Sequence, residues 1–178
     1  MKSVTRLIGI HASPDVDNCV AIKIDVEFEK AYVSSAKFWS GKGGITFMAY
    51  DLANDKDAFQ IDHYIIDRND KWEQLHLAFK NHGLDTNSIL ISKDRRAFDG
   101  LTDFVTSIHS SNKLYYPNQT KEITELQRQI KQFSSIVEKD GRLLYCLSDE
   151  THGDIVWAFL AGIFGVQKTM TDNTADLI

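Results

Sequence analysis

The chain has 178 residues, of which 43% are hydrophobic and 25% are charged, with a formal net charge of −5. This composition is typical of one globular domain and excludes wholesale disorder. The acidic balance argues against a protein that coats nucleic acid, although it is compatible with a local basic groove. Two cysteines are too few for a disulfide framework and indicate a reducing compartment. No apolar run approaches the roughly 20 residues that span a bilayer, so we predict one cytosolic α/β domain.

The first forty residues predict three strands with short links between them. Apolar runs and alternating hydrophobic residues define these strands. The predicted strands span residues 6–10, 19–29 and 31–39. Their short links favour an antiparallel meander. Residues 40–60 show no clear period: Gly41–Gly44 indicates a loop, and the polar stretch 51–57 is expected to be exposed.

Beyond residue 60 the pattern alternates between helices and strands. A short apolar run at 61–66 has no assigned element. Helices are predicted over 70–79 (ended by Gly83), 101–108, 118–139 and 155–166, and strands over 88–92 and 113–117, with a further apolar run at 142–146 compatible with a strand. The predicted fold is α/β, with a central mixed sheet, meander first and parallel strands after, and helices on both faces. The predicted domain spans residues 1–168, followed by a flexible tail over 169–178.

Acidic residues and histidines follow several of the predicted strands. In open α/β sheets, ligands gather at the carboxyl ends of the strands. The candidates are His11, Asp15 and Asp17 after the first strand, Asp94 after residues 88–92, and the stretch 149–154 before the last helix. Carboxylates that converge on one edge repel each other unless a divalent cation neutralises them. Taken alone, each residue also has a structural interpretation, as a turn former, a surface charge or a helix cap.

The C-terminal segment 141–161 contains His152-Gly153-Asp154 at the start of an alanine-containing apolar helix. This segment resembles the last motif of the nuclease domain of phage terminase large subunits, the DNA-packaging motor proteins. Residues 113–139 resemble the segment before that motif, and 89–94, with Gly100 further on, resembles the middle motif. Residues 7–11, with Asp17 downstream, lie where the family has its first motif. The resemblance extends from residue 6 to about residue 166.

The resemblance implies an RNase H-like fold and a metal-dependent endonuclease that cuts concatemeric double-stranded DNA. Two Mg²⁺ or Mn²⁺ ions would activate a water and stabilise the leaving oxygen. Asp94 matches the middle metal ligand, Asp154 the last one, and His152 the histidine beside it. The implied partners are DNA, the portal, the small terminase subunit and an ATPase domain of the same polypeptide, since this chain has no Walker motif. The implied location is the host cytoplasm, transiently at the procapsid, with no membrane contact.

The sequence departs from the family pattern at two positions. The first-motif aspartate is His11, and the middle residue of the His-Asp-Asp cluster is Gly153. An imidazole brings no negative charge and offers one nitrogen donor at a time. Asp15 or Asp17 would then replace the missing ligand, with His11 beside it in the metal site, or else the nuclease is vestigial and the domain grips DNA or docks on the portal.

Basic residues flank the predicted middle ligand. Lys93, Arg95 and Arg96 could contact phosphates, or they could be ordinary surface charges. Two other hypotheses stay open at this point: a different RNase H-like enzyme such as a Holliday-junction resolvase, and an unrelated α/β module whose acidic residues are surface charges.

Overall fold

A computed structural model describes residues 4–13, 18–91, 95–132, 134–137, 143–146 and 153–175. Within these ranges the strands are β1 (Thr5–Ala12), β2 (Asn18–Glu27), β3 (Lys30–Ser40), β4 (His63–Asp67), β5 (Thr86–Ile89), β6 (Leu114–Tyr115), β7 (Ser134–Val137) and β8 (Leu143–Cys146). The helices are α1 (Gly44–Phe59), α2 (Trp72–Asn81), α3 (Arg95–Ser110), α4 (Lys121–Gln132) and α5 (Asp154–Ala175). Among the described helices, none is both long enough and apolar enough to cross a membrane.

Six strands form one mixed sheet in the order β5-β4-β1-β2-β3-β6. β1, β2 and β3 make the predicted antiparallel meander, in which Gly9 of β1 pairs with Ile22 of β2. β4 is parallel to β1, β5 is parallel to β4, and β6 is parallel to β3. β7 and β8 pair separately as a two-stranded antiparallel sheet. The carboxyl ends of β1 and β4 therefore meet at one edge of the main sheet.

Helices cover both faces of the sheet, which confirms the predicted α/β fold class. On one face, α3, α4 and α5 pack over a core that includes Leu7, Ile24 and Phe159. On the other face, α1 and α2 pack over a core that includes Ile10 and Phe79. The strand alternation of β1 explains this division, because successive side chains point to opposite faces.

The predicted loop at Gly41–Gly44 ends where helix α1 begins, at Gly44. The stretch 51–57 lies within α1, and its predicted exposure is wrong at Asp51, Leu52 and Ala53. The buried residues Met48, Ala49 and Leu52 of α1 face the sheet. Asp51 is also partly buried, and its Oδ2 accepts a hydrogen bond of 2.8 Å from Trp39 Nε1. The large exposed residues Phe47 and Tyr50 on the outer side of the helix obscure its apolar stripe in the sequence.

The helix predicted over 118–139 ends much earlier. α4 stops at Gln132, and Ser134–Val137 forms β7 against β8. The β-branched pair Ile136 and Val137 favours an extended strand over a helix. β8 confirms the strand considered at 142–146.

Helix α5 continues to Ala175, so residues 169–175 are helical rather than a flexible tail. Met170 packs against the core beneath α3, α4 and α5. The hydroxyl of Thr169 donates a hydrogen bond of 2.9 Å to the carbonyl of Gly165. These contacts hold a segment whose polar residues have low helix propensity on their own.

Three glycines allow α5 to lie unusually close to the sheet. A Cβ on Gly9 would come within 2.2 Å of the Ala158 carbonyl oxygen and 2.3 Å of the Gly162 nitrogen. A Cβ on Gly162 or Gly165 would meet Ile24 or Ile65 at 2.7 and 2.1 Å. The backbone of α5 therefore crosses β1 directly at Gly9, and this contact fixes where the helix begins relative to the end of β1.

Candidate functional site

The end of β1 and the end of β4 lie side by side beneath the start of α5. Gly9 of β1 pairs with Ile65 of β4, and both residues face α5. Because side chains two residues apart point to the same face of a strand, His11 and Asp67 also lie on that face, one step nearer the carboxyl edge. Asp154, the first residue of α5, lies above them.

These three side chains form a buried charged cluster. His11 Nδ1 lies 3.0 Å from Asp67 Oδ2, and His11 Nε2 lies 3.4 Å from Asp154 Oδ1. The exposed fractions of His11, Asp67 and Asp154 are 3%, 0% and 9%. The second oxygen of Asp67, Oδ1, accepts a hydrogen bond of 3.2 Å from the backbone N–H of Ile91. The imidazole thus separates two carboxylates that come from different elements.

Aromatic side chains cover the imidazole. The indole of Trp157, one turn into α5, stacks on His11 with ring centroids 6.4 Å apart and an interplanar angle of 29°. Phe98 of α3 packs against Trp157 at 5.5 Å between centroids. The beginning of α3 therefore lies next to the cluster, on the side of Trp157.

The environment of His11 favours its charged form. Burial lowers the pKa of the imidazole, but the hydrogen bonds and charges of Asp154 and Asp67 outweigh burial, so the pKa lies above its ordinary value. Asp154 lies in the first turn of α5, at the positive end of the helix dipole.

The local backbone explains one departure from the terminase pattern. Gly153 has φ of 65°, in the left-handed region that glycine adopts readily. Its carbonyl accepts the first hydrogen bond of α5, from the N–H of Val156 at 2.9 Å. A glycine at this position turns the chain sharply and places Asp154 in the first turn of the helix.

The structure brings together two of the residues that the sequence analysis proposes, His11 and Asp154. The proposed residues Asp15, Asp17, Lys93, Asp94 and His152 lie outside the described residues, so their roles stay predictions. The side chain of Arg95 also lies outside them. Arg96 is exposed in the first turn of α3, on the element that carries Phe98 towards the cluster.

The sequence analysis missed Asp67, the fully buried member of the cluster. The sequence does contain an indication of this residue, because Asp67 directly follows the apolar run 61–66. Most of that run belongs to β4 in the structure. Assigning a strand to that run would have placed Asp67 at a strand end by the same rule that selected His11. Asp67 lies between His11 and Asp154 in the sequence and contacts His11 at this edge of the sheet.

Comparisons with known proteins identify the fold. No protein-family model matches the chain, and no curated protein sequence does either. The large terminase nuclease of the thermophilic phage G20c with bound magnesium superposes with a TM-score of 0.75 at 12% identity, over 92% of this chain and 82% of that one. The SPP1 large terminase nuclease domain with bound manganese has a TM-score of 0.61 at 11% identity, over 92% and 88%. The HK97 large terminase has a TM-score of 0.66 at 10% identity, over 93% of this chain and 40% of that one.

The chain therefore has an RNase H-like α/β fold. More particularly, it has the fold of the nuclease domain of phage large terminases, as the resemblance implied.

Proposed function

We propose that this chain is the nuclease domain of a phage DNA-packaging terminase and acts on double-stranded DNA. The observation that carries the proposal is the buried cluster of His11, Asp67 and Asp154 at the carboxyl edge of a sheet with the terminase nuclease fold. In this role the domain would work with the portal, a small terminase subunit and an ATPase domain of the same polypeptide. It would act in the host cytoplasm, at the procapsid.

The first candidate activity is metal-dependent endonucleolytic cleavage of concatemeric DNA. Similar nuclease domains have been determined with magnesium, cobalt or manganese bound. Carboxylate oxygens are the ligands that such hard cations prefer, and Asp67 and Asp154 supply two carboxylates. The predicted ligands Asp15, Asp17, Asp94 and His152 would have to complete a two-ion site, and Lys93, Arg95 and Arg96 would contact the DNA backbone.

The described residues alone do not fit a two-metal centre. No group of three or more His, Cys, Asp and Glu side chains within the described ranges is arranged to hold a metal ion. The imidazole of His11 lies between the two carboxylates, and its nitrogens face one carboxylate each.

The second candidate activity is DNA gripping or portal docking by a domain that does not cut. This alternative is motivated by His11, which stands where the terminase pattern has an aspartate and contacts both Asp67 and Asp154. Arg96 is exposed in the first turn of α3, which is compatible with contacts to the DNA backbone in either candidate activity.

Supercoiled-plasmid cleavage with Mn²⁺ or Mg²⁺ separates the two activities. The variants are Asp67→Asn and Asp154→Asn, with Asp85→Asn as the matched control because Asp85 is exposed. Metal-dependent nicking that both site variants lose and the control keeps supports cleavage. Binding of duplex DNA without nicking supports the gripping role. A folded chain that neither binds nor nicks DNA contradicts the proposed action on DNA.

A further inference from the structure

Strand β3 is the next-to-last strand of the main sheet, and most of its outer side is open. It has 11 residues and pairs with β2 on its inner side from Lys30 to Ser40. On its outer side, β6 pairs with it at Ala31 and Tyr32. Within the described residues, the sheet has no further strand beside residues 33–40 of β3. The backbone N–H and C=O groups at such an edge are a template for another strand.

The second half of β3 has few of the features that keep an edge strand from pairing. The carbonyl of Ser34 accepts a hydrogen bond of 2.8 Å from Asn118 Nδ2, so this part of the edge already has a partner. Residues 36–40, which we call the open edge, contain no proline and one charged residue, Lys37. Natural edge strands are usually short or carry prolines or several charges, and these features prevent pairing with another chain.

The side chains of the open edge are of the kind that protein interfaces use. Phe38 is 46% exposed, whereas Ala31 and Val33, nearer the start of β3, are fully buried. On the other face of the strand, Lys37 Nζ lies 5.1 Å from the centroid of the Trp39 ring. Aromatic residues are enriched where proteins meet. The open edge therefore offers both backbone groups and apolar side chains to a partner strand.

A second copy of this chain fits the open edge, and side-chain pairing selects the register. When a two-fold axis normal to the sheet relates two antiparallel strands, the residue on the axis faces itself and its neighbours face each other. An axis at Lys37 would oppose two lysines, which is destabilising. An axis at Ala36 would bring Ser34 into the pairing, where Asn118 holds the carbonyl.

An axis at Phe38 avoids both conflicts. It opposes the two Phe38 rings, and it places Lys37 of one copy opposite Trp39 of the other. Aromatic pairs stabilise adjacent strands, and a lysine over an indole ring gains a cation–π contact. The small residues Ala36 and Ser40 then face each other at both ends of the paired segment.

We propose that the open edge of β3 pairs antiparallel with the open edge of a second copy of this chain, with Phe38 on the two-fold axis. The pairing joins two six-stranded sheets into one continuous sheet. Only residues 36–40 of each copy form pairs, so the interface is small and the self-association is weaker than that of an obligate dimer. β3 lies two strands away from β1, and the pairing holds whether or not the domain acts on DNA.

Analytical ultracentrifugation of the wild-type chain tests the self-association over about 1–300 µM, a range that suits a small interface. The site variant is Phe38→Lys. The matched control is Phe28→Lys, because Phe28 is 75% exposed and lies in the turn between β2 and β3, away from the open edge.

We expect the mean mass of the wild type and of Phe28→Lys to rise with concentration towards twice the chain mass. We expect Phe38→Lys to stay at the mass of one chain, because two lysines would face each other on the axis. A wild-type chain that stays monomeric throughout overturns the proposal. So does a Phe38→Lys variant that associates like the wild type, or a Phe28→Lys variant that loses association equally.

Disulfide cross-linking tests the register and covers the case in which Phe38→Lys does not fold. In a Cys146→Ser background, buried Cys19 is the native cysteine that remains. The proposed axis places the Cα atoms of the two residues at position 38 about 4.5–5.5 Å apart, within the span of a disulfide. The two residues at position 37 are then diagonal neighbours, roughly 7–8 Å apart, which is too far.

With glutathione disulfide as the oxidant, we expect Phe38→Cys to form covalent dimers at least about tenfold faster than Lys37→Cys. Equal or faster cross-linking of Lys37→Cys would place the axis elsewhere and overturn the proposal, and so would the absence of covalent dimers in both variants. DNA binding is assayed separately, so failure of this inference is distinct from failure of the proposed function.

Discussion

A buried charged cluster and an exposed ion pair lie at opposite ends of the sheet. They show how strongly burial changes the contribution of a charge to stability. At the carboxyl edge of β1, His11 lies between Asp67 and Asp154 and is almost fully buried. At the other end, Lys113 pairs with Glu29 beside the turn between β2 and β3, and both side chains are exposed. Exposed pairs are screened by water and salt and contribute little, whereas a buried charge is costly once its partner is removed. We therefore expect substitutions at the first cluster to change stability strongly and those at the second pair to change it little.

The largest effect is expected where α5 meets the sheet. Gly9→Ala would place a methyl group 2.2 Å from a backbone oxygen of α5, which no rotamer change can relieve. We expect a loss of at least about 3 kcal/mol in the free energy of unfolding, measured by urea denaturation.

The matched control for Gly9→Ala is Gly100→Ala. Gly100 lies inside α3, and an added Cβ there meets nothing within 4 Å. We expect this variant to gain roughly 0.5–1 kcal/mol, because alanine favours a helix more than glycine does. An equal loss in both variants would contradict the close contact between α5 and β1.

The next effect concerns the buried carboxylate. Asp67→Asn removes the charge that faces His11 in a site without solvent exposure. We expect a loss on the order of 3 kcal/mol, or roughly 6–12 °C in Tm. Asp85→Asn, at an exposed position, should leave Tm unchanged, and a similar Tm for both variants would show that Asp67 is not part of a buried charged cluster.

A smaller effect on Tm is expected when the pH is changed. The pKa of His11 is raised above its ordinary value of 6.5 despite burial, because of Asp154 and Asp67. A raised folded-state pKa stabilises the chain fully below the unfolded value, and this contribution is lost as pH rises through the folded value. The Tm difference between the wild type and His11→Asn should therefore shrink as the pH rises from below 6.5 through the raised pKa of His11. A difference that grows over this range would contradict the charged form of His11.

The smallest effect is expected at the exposed pair. Lys113 lowers the pKa of Glu29 through a hydrogen bond and its charge, but Glu29 is exposed to solvent. Glu29→Gln should leave Tm unchanged at moderate salt, as differential scanning calorimetry can measure, because water screens this pair. A loss as large as that of Asp67→Asn would remove the distinction between the two ends of the sheet.

The sequence made part of this architecture predictable because the period of the hydrophobic residues was clear. The alternation of Val20, Ile22, Ile24 and Val26 indicates β2 without further information. Helix α1 has the spacing Met48, Ala49 and Leu52, but exposed Phe47 and Tyr50 add apolar residues on the wrong side. The spacing of hydrophobic residues does not predict a helix that also carries large apolar residues on its outer surface.

The site was predictable only in part, because it depends on contacts between residues that are far apart in the sequence. Asp154 has a local signal, because it precedes an apolar helix, and His11 follows an apolar strand. Their contact depends on the close approach of α5 at Gly9, which only the folded structure shows. Asp67 lies 56 residues from His11 along the chain, and its role depends on β4 lying parallel to β1.

The most direct test of whether the side chain of His11 occupies the place between the two buried carboxylates is a crystal structure of the wild-type chain soaked in Mn²⁺, with anomalous diffraction data. We expect that the imidazole of His11 remains between Asp67 and Asp154, with no anomalous peak between the two carboxylates. A manganese peak bound by both carboxylates, with the ring of His11 displaced or coordinating the ion, would contradict this arrangement.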